Sequence, residues 1–141
     1  MLGIVLISHG GMADGMLNSA SMFFGETGLQ NVATVSLLPS ESPEDFDVKL
    51  TEAIGKVNNG DGVIILCDLL MGTPCNRSIY KIQEMGEKLQ VITGMNLALL
   101  TELLGLCMGD VTIDDIDIDN LISTGHDGMI SLNKMINGGN N

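Results

Sequence analysis

Short apolar runs alternate along the chain with stretches in which apolar residues recur every three or four positions. The first pattern predicts buried strands and the second predicts helices with one face turned inward. "LGIVLIS" is apolar at nearly every position, as in a strand covered on both faces. After it, Ala13, Met16, Leu17, Ala20, Phe23 and Phe24 fall at helical spacing and predict a helix ending near Gly25. "NVATVSLL" reads as the second strand, "GVIILCD" as the third and "LQVITG" as the fourth. In "SESPEDF", Ser42 is placed to cap a helix, Pro43 suits its first position, and Glu44 and Asp45 favour the positive end of its dipole. That helix buries Phe46, Leu50, Ala53, Ile54 and Val57 and stops in "NNGDG". A threonine cap, Thr73, and Pro74 open another helix, which runs through Tyr80 to about Met85. Leu97 to Met108 reads as a helix that is apolar over most of its circumference, so either the core wraps it or a second subunit covers part of it; the second is preferred.

Repeated strand–helix units of this length imply parallel strands with helices on both faces, an open doubly wound α/β sheet. Residues 1–136 form one domain on this reading, and "NGGNN", residues 137–141, is a frayed tail. In such sheets ligands gather at the carboxyl ends of the strands, where strand order reverses. Strand one ends in Ser8-His9-Gly10-Gly11 and strand three in Asp68, followed by "LLMGTP". If these strands are neighbours, His9 faces Asp68 across the top of the sheet. A carboxylate that accepts a hydrogen bond from Nδ1–H fixes the imidazole tautomer and leaves the Nε2 lone pair free as a nucleophile. Gly10 and Gly11 allow close approach, Gly72 permits a tight turn, Thr73 adds a hydroxyl, and the helix after it turns its amide end to the site. Phosphate fits that environment.

Composition narrows the partners. Aromatics are 3% of the chain, so the core is built from aliphatic residues and methionine. Six basic against 18 acidic residues give a formal charge of −12, which repels nucleic acid and anionic membranes and would steer in a partner with a basic face. Cys67, Cys75 and Cys107 are odd in number and show no C-x-x-C spacing, which suits a reduced, cytoplasmic setting. The apolar run Leu2 to Ile7 is too short for a signal peptide or a membrane span. His9 and His126 make too poor a set for a metal, and no cofactor is expected. Asp110, Asp114, Asp115, Asp117 and Asp119 lack the spacing of a calcium loop and read as a solvated helix start. His126, in "TGHDG", reads as an exposed turn residue. A serine hydrolase is disfavoured, because the pleat sends Ser8 and His9 to opposite faces.

"IVLISHGGMADGML", "VIILCDLLMGTPCN", "QVITGMNLALLTELL" and "TGHDGMISL" together resemble the enzyme IIA component of the mannose family of the bacterial sugar phosphotransferase system, the mannose/fructose/sorbose/N-acetylgalactosamine type. The resemblance implies that His9 accepts a phosphoryl group on Nε2 from phospho-HPr. It implies transfer from there to a IIB component, which phosphorylates sugar entering through the membrane components IIC and IID. It also implies that Asp68 orients His9, and that Gly10, Met71, Gly72 and Thr73 surround the phosphoryl group. The implied fold is four parallel strands plus a C-terminal antiparallel edge strand, exchanged between the subunits of a homodimer, with "MISL" as that strand; its own pattern reads equally well as helix. Two positions depart from the family pattern: Met71 stands where relatives carry a glycine, and Cys75 replaces a common phenylalanine. Two other roles use the same phosphohistidine: a regulatory module, and the phosphodonor subunit of a dihydroxyacetone kinase. A receiver-type reading, with Asp68 as acceptor, wants further carboxylates at the end of strand one, and Ser8-His9-Gly10 supplies none.

Overall fold

A computed structural model describes residues 1–138. The chain runs β1 (Gly3–His9), α1 (Met12–Phe24), β2 (Val32–Leu37), α2 (Pro43–Val57), β3 (Val63–Cys67), α3 (Thr73–Met85), β4 (Leu89–Thr93), α4 (Leu97–Leu106), α5 (Ile118–Asp127) and α6 (Leu132–Ile136). The strands form one parallel sheet in the order β2-β1-β3-β4. β1 is therefore internal, with Ile7 opposite Val35 on one side and Cys67 on the other.

Strand alternation divides the interior into two apolar layers. Ile4 and Leu6 of β1, with Ile64 and Leu66 of β3, pack against Ala13 and Ala20 of α1 and Leu100 and Leu103 of α4. Val5 and Ile7, with Val63 and Ile65, face Phe46, Leu50 and Ile54 of α2 on the other side. Both faces of β1 and β3 are thus sealed, which is why their sequences are unbroken apolar runs. Phe46 is fully buried at the centre of the second layer.

Local signals set the helix ends. The Ser42 hydroxyl accepts from the Asp45 amide at 3.1 Å while the Asp45 carboxylate accepts from the Ser42 amide at 3.0 Å, a reciprocal cap on α2. α1 stops at Gly25, as its spacing predicts. The acidic stretch also forms helix starts: Asp115 completes a cap with Thr112, and Asp117 caps α5 by accepting from the Asn120 amide.

α4 buries Leu99, Leu100, Leu103 and Leu104 against α1, α5 and the sheet, while Leu97, Ala98 and Thr101 line an open apolar groove with Phe23 and Phe24, the part of its girth that the core leaves uncovered. His126 lies in the last turn of α5 rather than in a turn after it, because the Asp117 cap starts a helix that reaches Asp127. Of "MISL", Leu132 opens α6, capped by Ser131, and the described residues contain four strands with no antiparallel fifth. Asn137 and Gly138 follow α6 in a turn, and the rest of the expected tail lies outside the described residues.

Candidate functional site

The site stands at the carboxyl edge of the two central strands. His9 is the last residue of β1, and Asp68 directly follows β3. The Asp68 amide donates to the Ile7 carbonyl at 3.1 Å, which locks the β3 exit against β1. Asp68 Oδ2 then accepts twice from one residue: from the His9 backbone N–H at 2.9 Å and from ring Nδ1 at 2.9 Å. The histidine side chain is 46% exposed and the aspartate 9%.

Burial pushes the Asp68 carboxyl up, but the hydrogen bonds from the His9 backbone and ring outweigh it and hold it below the ordinary carboxylate range. Asp68 is therefore an anion with acceptor capacity only. In the neutral ring the hydrogen then sits on Nδ1, and Nε2 keeps its lone pair. The Cys67 thiol donates toward the other carboxylate oxygen at 3.6 Å, and burial pushes that thiol up to about 12, so it stays protonated.

Gly72 meets the ring from the far side. A Cβ there would lie 2.6 Å from His9 Cε1 and 3.1 Å from Nε2, so no side chain fits without moving the imidazole. Its φ of −136° is ordinary extended backbone; close approach is what demands glycine. Gly72 is also the N-cap of α3, which makes Thr73 the first helical residue instead of the cap. No side chain caps the first turn of α3, so its amide end is left available beside the ring.

Met71 adopts φ 68°, the left-handed region that favours glycine, and its side chain is exposed. Gly10 has φ 53°, and open space where its Cβ would be, so at that position the backbone turn is the requirement. The structure thus brings His9, Asp68 and Gly72 into contact, with Gly10 next to His9 and Met71 and Thr73 flanking Gly72. His126 lines a separate groove with Thr93, Gly94 and Asn96 beyond the end of β4.

Sequence reasoning missed two features. α1 also begins at this edge, and its N-cap, Gly11, contributes no side-chain bond. The rim of the site is apolar as well: Met12, Leu38, Leu69, Leu70 and Met71 are all exposed after the ends of β1, β2 and β3. A groove of about 400 Å³ lined by Phe23, Phe24, Gln30 and Met108 lies at the opposite, amino edge of the sheet. His9 is presented on an open rim, a setting suited to contact with another macromolecule.

Comparison with known proteins gives consistent matches. Residues 3–117 fit the family profile EIIA-man, described as PTS system fructose IIA component. The mannose-specific EIIAB component of Escherichia coli K12 is 29% identical over 131 residues, which are 93% of this chain and 39% of that protein. The chain therefore spans about two-fifths of the length of that relative. The sorbose-specific EIIA component of Klebsiella pneumoniae is 30% identical over 103 residues, 73% of each chain. A PTS IIA protein associated with the fucose utilization operon of Streptococcus pneumoniae superposes with a TM-score of 0.83 at 26% identity over 96% of both chains.

Proposed function

The chain belongs to the EIIA-man family, and from that membership we propose that it is a histidine phosphocarrier of a sugar phosphotransferase system. His9 accepts the phosphoryl group from phospho-HPr and passes it to a IIB component, which serves sugar uptake through membrane components IIC and IID. The observation that carries this reading is the pair of 2.9 Å hydrogen bonds from His9 to Asp68 Oδ2, which leaves Nε2 of this half-exposed side chain free.

The transfer balances without a cofactor. The Nε2 lone pair of His9 attacks phosphorus as the donor's P–N bond breaks, and the electron pair of that bond returns to the donor imidazole. The proton stays on Nδ1, where the Asp68 charge stabilises the ring as it becomes positive. The uncapped amide end of α3, with Gly72 and Thr73 at its start and Met71 before it, offers donors to the phosphoryl oxygens, and Gly10 keeps the opposite side open. Transfer to the IIB histidine is the same step reversed. Positioning and fixed dipoles supply most of the catalysis in such transfers.

The partners follow from the same reading. The acidic chain, at −12, and the apolar rim around His9 suit a donor with a basic, partly apolar face. The assembly is a homodimer in which the segment around Met129–Leu132 leaves the cap and first residue of α6 and adds an antiparallel strand to its neighbour's sheet. The open outer edge of β4 and the exposed Met129, Ile130, Leu132, Met135 and Ile136 support that arrangement. A cytoplasmic location fits these partners, and no helix among the described residues is long and apolar enough to cross a membrane.

The test is intact mass after incubation with phosphoenolpyruvate, enzyme I and HPr, for the wild type and His9→Ala. One acid-labile phosphoryl group on the wild type only, discharged by a IIB domain, is the expected result. Phosphoryl retained by His9→Ala would refute the assignment, and a phosphorylated protein that no IIB discharges would favour the regulatory or dihydroxyacetone-kinase role.

A further inference from the structure

Among the described residues, Ser8 and Ser78 are the buried polar ones. Ser78 makes an ordinary bond within its own helix, to the Cys75 carbonyl. Ser8 does something different. It is fully buried one residue before His9, and the pleat turns its side chain to the α1 face, in line with Ile4 and Leu6. Its hydroxyl accepts from the Ala13 amide in the first turn of α1 at 2.8 Å and donates to the Gly10 carbonyl at 3.2 Å. α1 has no capping side chain at its own N-cap, Gly11, so the acceptor for its first turn comes from the strand.

The two bonds of Ser8 span the segment that carries His9. The His9 amide is held by Asp68, the Gly10 amide by the Leu37 carbonyl at 2.9 Å, and the Gly10 carbonyl and Ala13 amide by Ser8. Gly10, at φ 53°, is a point at which the chain could swing, and the Ser8 hydroxyl closes it. We propose that Ser8 is a positioning residue for phosphoryl transfer: from the buried side of β1 it clamps the turn between strand and helix, and so fixes the direction in which the His9 ring presents Nε2. The proposal rests on His9 being the phosphoacceptor. Ser8 touches neither the ring nor any reacting atom, and its effect passes through the backbone.

The clamp predicts a defect in transfer rate with little effect on docking, since of the rim residues only Met12 lies in the clamped turn. The experiment is single-turnover transfer from phospho-HPr over a range of donor concentrations, with the wild type, Ser8→Ala, Ser8→Cys and Ser8→Thr. Cysteine keeps the volume but is a weak acceptor for the Ala13 amide, and threonine keeps the hydroxyl. Ser8→Ala and Ser8→Cys are expected to lower the maximal rate about 10- to 100-fold, in line with the cost of small misplacements in an oriented reaction. Half-saturation should be unchanged, and Ser8→Thr should recover most of the rate. Should Ser8→Ala not fold, the contrast between cysteine and threonine decides. Wild-type rates in Ser8→Ala or Ser8→Cys would overturn the proposal, and so would an equal loss in Ser8→Thr, which would mark a packing requirement. Absence of transfer to the wild type itself would instead refute the phosphocarrier reading on which the proposal stands.

Discussion

The backbone N–H and the ring Nδ1 of His9 converge on a single oxygen, Oδ2 of Asp68, each at 2.9 Å. One atom thereby sets both where the histidine begins and which way its ring turns. Asp68→Asn keeps an acceptor near that position but removes the charge and allows the amide to flip. Phosphoryl uptake by this variant should fall about 100-fold or more, as for other histidines whose orienting carboxylate is lost. Quenched-flow phosphorylation, with circular dichroism to confirm the fold, checks this.

Asp68 also links folding to acidity. Its carboxyl is held below its ordinary value of 3.8 in the folded protein. Such a group adds stability that is fully present above the unfolded value and is lost as pH falls through the folded one. The stability difference between wild type and Asp68→Asn should therefore be constant at neutral pH and shrink as pH drops below about 4. Urea denaturation across pH 2.5–7 measures it, and a gap that widens in acid would contradict the sign.

Gly72→Ala places a methyl group 2.6 Å from His9 Cε1. The ring must shift, and its bond to Asp68 with it. Transfer should be nearly abolished while the protein loses only about 1–3 kcal/mol, the usual cost of an overpacked contact. Activity and denaturation midpoint, measured on one preparation, separate the two effects.

Met71→Gly should go the other way in stability. Relief of the left-handed backbone is worth about 1–2 kcal/mol, and the greater freedom of glycine in the unfolded chain takes back about 0.5–1 kcal/mol. A net gain of up to about 1.5 kcal/mol, centred near 0.75 kcal/mol, is expected on those figures, and no gain from Met71→Ala, whose Cβ suffers the same crowding. Paired denaturation curves decide it.

Burial pushes the Cys67 thiol up to about 12 and that of Cys107 up to about 11. Neither should react with iodoacetamide at pH 8 in the native protein, whereas both should label once it is unfolded. Peptide mapping after timed alkylation reads this directly.

Much of this architecture was legible in the sequence because burial on both faces writes β1 and β3 as continuous apolar runs, and the Ser42–Asp45 cap is spelled out in adjacent letters. His9 and Asp68 were legible because each is the first polar side chain beyond Ser8 or Cys67 at the end of such a run. Three features were not. The Gly72 approach to the ring depends on two loops meeting in space, which spacing cannot disclose. The covering of α4 by α5 depends on how the acidic segment folds back. The Ser8 clamp hid behind a correct inference, since the pleat does turn Ser8 away from His9, and only the position of α1 gives that direction a purpose.

The sheet order β2-β1-β3-β4 finally has a meaning in time as well as in space. Of these four strands the earliest in the chain, β1, is flanked by strands made from residues 32–37 and 63–67, so it waits for both neighbours before its edges close. Pairings between such distant stretches of chain are slow to form and leave apolar strands exposed meanwhile. His9 is synthesised before β2 and β3, yet it meets its carboxylate only when residue 68 has emerged. A nascent chain arrested before that point carries the histidine without the pair, and competence arrives in a single step as β3 docks.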